Sequence, residues 1–123
     1  MSGLLLNTTY FVRVGALNHG GTPNFSVGDA SSTLTNPVTG PGISGVHVAS
    51  ITISWNPLPA APQEASAEGY RLEASTASNF TGVLFASITY NVNLGTLSMV
   101  NLPGDATYYF RVGSLNWQSR PVY

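Results

Sequence analysis

Cysteine is absent from the 123 residues, and so is lysine. Without cysteine, disulfides, thiolate metal sites and thiol catalysis are all excluded, and a domain of this length must stand on its core alone. Charge of either sign is scarce. Four arginines and five carboxylates make 7% of the chain, against roughly 25% in an ordinary soluble domain. The formal charge of −1 gives neither the basic patch that nucleic acid demands nor a polybasic membrane face. No apolar run approaches the roughly 20 residues of a membrane span. The opening MSGLLLN has no basic region and too short an apolar run for a signal peptide, so any secretion signal is expected outside this chain.

What is present is apolar, small and hydroxylic. Apolar residues make up 43%, ample for a core, and Ser and Thr supply about a fifth of the chain. A surface solvated by Ser, Thr, Asn and Gly repels itself weakly and favours packing against other protein. Strand patterns dominate. SITISW (50–55) puts Ile51, Ile53 and Trp55 on one face, and GYRLEAS (69–75) puts Tyr70, Leu72 and Ala74 opposite Arg71 and Glu73. TYYFRV (107–112) turns Tyr108, Phe110 and Val112 inward and Tyr109 and Arg111 outward, while VLFASI and GTLSMV supply two shorter strands. Such alternation at period 2 marks half-buried strands. Gly, Pro, Asn and Asp break every longer window. The chain reads as all-β.

One strand is written twice. TYFVRVGALN (9–18) returns as TYYFRVGSLN (107–116), with Arg13 and Arg111 standing 98 positions apart (111 − 13). At that spacing Leu4, Thr9, Tyr10, Val14, Gly15, Leu17, Asn18 and Pro23 match Leu102, Thr107, Tyr108, Val112, Gly113, Leu115, Asn116 and Pro121, and Phe25 lies opposite Tyr123. Chance likeness between two strands explains alternation but not a shared R-V-G-x-L-N run. Self-similarity at fixed spacing marks a repeated unit.

Trp55 closing SITISW, Tyr70 in GYRLE, and LPGDATYYFRV at 102–112 followed by Leu115-Asn116 together resemble fibronectin type III modules. The resemblance implies an immunoglobulin-like antiparallel β-sandwich. It makes Tyr108, and Tyr10 in the earlier copy, the tyrosine of a corner whose hydroxyl bonds nearby backbone. Trp55, Tyr70, Leu102, Tyr108 and Tyr10 are then expected in the structural core. Residues 1–35 resemble the last two strands, F and G, of a preceding module. Residues 36–42 read as a Pro- and Gly-rich linker, and 43–123 as a module lacking its G strand.

A strand F without its G neighbour leaves backbone donors and acceptors open to another strand. Three arrangements are compatible with that. The N-terminal G strand folds back onto its own module, or it fills the gap in a neighbouring molecule by strand addition, or the boundaries merely excerpt a longer array. The second is favoured, because two F strands would compete for one place in the first. Donor residues are then Phe25, Val27 and Leu34, and acceptor residues are Tyr109, Arg111, Gly113 and Leu115. Such a contact is heterologous and builds an open fibre unless the rotation closes.

No catalytic constellation is found, so an enzyme is not expected and no cofactor is implied. His19 and His47 have no cysteine and few carboxylates beside them to form a metal shell. Asp29, Glu64, Glu68, Glu73 and Asp105 are scattered, and no G-x-S-x-G occurs. Trp117 and Arg120 in the F–G loop are candidates for a partner or ligand contact. Sequons at Asn7, Asn24 and Asn79 are candidate glycan acceptors. The expected function is a structural subunit of an extracellular filament or cell-surface fibre whose partner is another copy of itself. The alternative is an adhesin or glycan-binding accessory module of a larger secreted protein.

Overall fold

Alternating β-branched and aromatic positions become strands that pack two sheets face to face. The computed structural model describes residues 3–123. Eleven strands follow one another: β1 Thr9–Val12, β2 Gly15–Leu17, β3 Pro23–Phe25, β4 Asp29–Ser32, β5 Thr39–His47, β6 Ser50–Asn56, β7 Gly69–Ser75, β8 Leu84–Thr89, β9 Thr96–Val100, β10 Tyr109–Leu115 and β11 Pro121–Val122. A single 3-10 turn, Gln63–Ala65, interrupts them. Strands β5, β6 and β9 form one antiparallel sheet, and β8, β7, β10 and β11 form the other in that order.

The core lies between these two sheets. Ile53, Trp55 and Met99 from the first face Tyr70, Leu72, Ala74 and Val112 from the second, and Leu102 closes one end. Trp55 meets Tyr70 edge to face at 5.1 Å between ring centroids, the arrangement that ring quadrupoles favour. The Tyr70 hydroxyl donates to the Val92 carbonyl at 2.8 Å and accepts from Leu58 N–H at 2.7 Å. Its buried polar tip is thereby satisfied at both ends. Each fully buried side chain of this size contributes about 1.5–3 kcal/mol.

The N-terminal residues form a separate two-stranded ribbon. β1 pairs with β4 from Thr9↔Ser32 to Val12↔Asp29, and β2 pairs with β3 from Gly15↔Phe25 to Leu17↔Pro23. The register slips by one residue between the two halves, at Val27-Gly28. No second sheet covers the ribbon among the described residues, and Phe11, Val14, Leu17 and Val27 are exposed. Tyr10 was expected in the core; it sits instead on this ribbon, half-buried and outside the core cluster. The linker expected at 36–42 is also shorter. β5 begins at Thr39 and pairs with Asn56 there, because the β-bulge before Gly42 lets the Gly-Pro-Gly stretch stay in the sheet.

Candidate functional site

The two copies of the repeated strand build the same local structure. In β10 and β11, Leu115↔Pro121 and Ser114↔Val122 are paired, the equivalent positions in the same register as Leu17↔Pro23 and Ala16↔Asn24 after the 98-residue shift. The Arg13 guanidinium lies 3.8 Å over the Phe25 ring, and Arg111 lies 3.9 Å over Tyr123. Beneath each ring is a glycine, and the reason is steric. A Cβ on Gly15 would stand 2.7 Å from Phe25 Cδ1, and one on Gly113 would stand 2.9 Å from Tyr123 Cε1. The turns agree as well. Asn18 Oδ1 accepts from Thr22 N–H at 2.9 Å, and Asn116 Oδ1 accepts from Arg120 N–H at 2.9 Å.

The outer edge of β10 is therefore bordered only in part. β11 covers Ser114 and Leu115, and among the described residues nothing pairs with that edge over Tyr109–Gly113. Beside it a groove of about 280 Å³ opens between the sheets, lined by Ile43 and Ile53 on one side and Tyr108, Phe110 and Val112 on the other. Of the expected acceptor residues, Tyr109 is exposed at the open edge. Leu115 is fully buried and already paired with Pro121, so it is not available to a further strand. Gly113 is buried beneath the Tyr123 ring.

Arg111 lines the groove too, and its guanidinium is held by Glu73. Its Nη2 lies 2.7 Å from Glu73 Oε2, and Arg71 Nε lies 2.7 Å from Oε1 of the same carboxylate. Burial opposes ionisation of Glu73, but the hydrogen bonds from Arg111 and Tyr123 and the two guanidinium charges outweigh it and lower its pKa. Tyr123 moves the other way. Burial, then its contact with the Glu73 carboxylate, pushes its hydroxyl up to about 12. The expected donor residues lie on the ribbon: Val27 is 98% exposed, Leu34 is half exposed, and Phe25 is held under Arg13.

Ribbon and sandwich meet at a polar joint. Asn7 is fully buried there. Its Nδ2 donates to Glu68 Oε1 at 3.2 Å and to the Gln63 carbonyl at 3.5 Å, and Gln63 Nε2 donates back to the Asn7 carbonyl at 3.1 Å. Thr35 and Ser114 hydroxyls lie 2.7 Å apart, and Ser114 also donates to the Asn36 carbonyl. Asn116 Nδ2 donates to the carbonyls of Ser32 and Thr33. Asn7 thus cannot serve as a glycan acceptor in this fold, because its amide nitrogen is buried and engaged. Asn24 and Asn79 are exposed. Trp117, 54% exposed, lines a separate hollow of about 260 Å³ with Tyr90, Gln63 and Glu68, and Arg120 is exposed nearby in sequence.

The order β5-β6-β9 against β8-β7-β10-β11, with the Tyr108 hydroxyl donating to the Pro103 carbonyl at 2.9 Å, is a sandwich closed by a tyrosine corner. The fold is that of the fibronectin type III module. Solved structures bear this out. A two-module fibronectin type III segment of chicken tenascin superposes with a TM-score of 0.56 at 19% identity, over 93% of this chain and 61% of that one. The FN1–FN3 domains of chicken CNTN1 give 0.56 at 20% identity, over 92% and 39%. A single fibronectin type III domain of human collagen alpha-1(XX) gives 0.52 at 15%, over 72% and 78%. The chain thus spans less than two thirds of either multi-module segment. No family model and no curated protein matches it.

The joint escaped the reading of the sequence. Its one visible signal was the repeated asparagine, Asn18 and Asn116. Nothing local distinguishes Asn7, Gln63 or Glu68 from ordinary loop residues.

Proposed function

We propose that the chain is a structural subunit of an extracellular filament or cell-surface fibre, in which β10 of one copy takes residues 26–35 of the next, head to tail. The observation that carries this is the shared register. Pro121 and Val122 lie on β10 as Pro23 and Asn24 lie on β2, and Tyr123 lies on Arg111 as Phe25 lies on Arg13. The strand that continues from Phe25 along β1 is therefore the one whose chemistry continues from Tyr123 along β10. Residues 1–35 then act as a donor segment and 43–123 as the module it completes.

Energetics favour the exchange. A two-stranded ribbon is marginal in water, and this one leaves Phe11 and Val27 almost wholly exposed. On β10 the same strand would border a four-stranded sheet and cover the groove. The low charge and missing lysines remove the usual obstacles to edge pairing.

The pairing β1–β4 gives the register to test. Phe11 pairs with Ala30, so Tyr109 takes that place beside Ala30 of another copy. With no native cysteine, the double substitution Ala30→Cys and Tyr109→Cys is unambiguous. Mild oxidation should yield a ladder of covalent oligomers on a non-reducing gel. A covalently closed monomer would instead mean that the strand folds back on its own module, and free thiols throughout would end the proposal.

A further inference from the structure

Resting on that reading, we infer that Asp105 sets the strength of the joint between copies, acting as a like-charge gate that the joint within each chain does not have. Leu4-Leu5-Leu6-Asn7-Thr8-Thr9-Tyr10 aligns with Leu102-Pro103-Gly104-Asp105-Ala106-Thr107-Tyr108. Asn7 and Asp105 share a left-handed backbone, with φ of 45° and 58°. Both loops are closed by their tyrosines: Leu5 N–H donates to the Tyr10 hydroxyl at 2.9 Å, and the Tyr108 hydroxyl donates to Pro103. The partner atoms belong to aligned residues. The two loops are alternative versions of one element.

Within a chain, the loop at Asn7 and the strand β4 together dock on the sandwich through Gln63, Glu68, Ser114 and Asn116. When β4 moves to β10 of another copy, the loop that accompanies it is that copy's Leu102–Tyr108. Asp105 then takes the place of Asn7. The consequence is chemical. Asn7 donates to Glu68 Oε1 at 3.2 Å, whereas an ionised aspartate has no donor. Two carboxylates would meet at a position where the asparagine is fully buried, and like charges that close cannot both stay ionised without cost.

The other charged groups facing this place are few. Glu64, exposed on the 3-10 turn beside Gln63, adds negative charge. His47 lines the same hollow as Asp105 on its own copy. The joint between copies is accordingly weak at neutral pH and tightens in acid, while the joint within a chain does not change sign.

Asp105→Asn restores the donor, keeps the left-handed backbone that asparagine tolerates well, and touches no hydrogen bond of the described structure. At pH 7 it should lower the concentration for half-maximal association, read by sedimentation velocity, by about tenfold or more. Glu68→Gln should do the same, and the two together should gain little beyond either alone. Acid should bring the native chain close to the Asp105→Asn variant. The Ala30/Tyr109 cysteine pair, introduced into both backgrounds, separates the ways to fail. If cross-linked ladders form but Asp105→Asn associates no more tightly than the native chain, the gate is wrong and strand exchange stands. If no ladder forms in either background, the exchange and the gate fall together.

Discussion

Glu73 shows how much one buried carboxylate can organise when charge is this rare. It draws two of the four arginines to one point on the outer face of β7 and β10, and Arg111 in turn is flanked by Phe80 at 4.1 Å and Tyr123 at 3.9 Å. Its folded pKa lies below the ordinary value, so the stability it brings is present above the unfolded carboxylate range and is lost as pH falls through the folded value. Tyr123, raised to about 12, works at the other end. Its contribution is whole below the unfolded tyrosine value and disappears as pH rises through the folded one. Melting temperature against pH should therefore fall at both extremes. Glu73→Gln should flatten the acid limb at a cost of about 2 kcal/mol at neutral pH. Tyr123→Phe should remove one high-pH tyrosinate transition seen in ultraviolet titration. An acid limb unchanged in Glu73→Gln would assign it to other carboxylates.

The turn from β10 to β11 is an element the chain builds twice, and only one copy has a second task. Asn18 is exposed and shapes its turn alone. Asn116 is fully buried, accepts from Gln118 and Arg120 N–H, and donates to Ser32 and Thr33. Asn116→Ala strands two carbonyls and two N–H groups, so it should cost about 2–3 kcal/mol, while Asn18→Ala should cost about 1 kcal/mol or less. Chemical denaturation of the two variants measures the difference, and equal losses would show that the joint contributes nothing. The strands themselves were plain in the sequence, since Ile51, Ile53, Trp55, Tyr70 and Leu72 alternate as a half-buried surface must. Of the acceptor residues expected from the repeat, Tyr109 lies on the open edge, whereas Leu115 is paired with Pro121 and Gly113 is buried. What alternation could not reveal was long-range polar pairing: Asn7 with Glu68, or Thr35 with Ser114, are contacts between residues whose neighbours say nothing of each other. Tyr10 failed for a related reason. Its sequence is that of a core tyrosine, but the sheet that would bury it is not supplied by the described residues.

At the scale of the molecule, a well-packed sandwich carries a poorly covered ribbon that is anchored at one end only. Asn7 N–H bonds the Leu34 carbonyl and Thr33 N–H bonds the Thr8 carbonyl close to the joint, while the far turn at Asn18–Thr22 is fully exposed. Local stability follows buried contact, so amide exchange in the dilute chain should be slowest in β7 and the inner edge of β10, intermediate near Asn7 and Thr33, and fastest in β2 and β3. Assembly must then redistribute protection in a way that tells two mechanisms apart. If the whole ribbon simply adds to β10 through the free edge of β4, β1 and β4 both stay protected. If β4 leaves β1 for β10, as the shared register implies, protection rises in β4 and at Tyr109–Gly113 while it falls in Thr9–Val12, which loses its partner. Hydrogen exchange followed by mass spectrometry at concentrations below and above association reads these segments separately. Gain in β4 without loss in β1 would replace exchange by edge addition, and the Asp105 gate would then have no route to the place of Asn7.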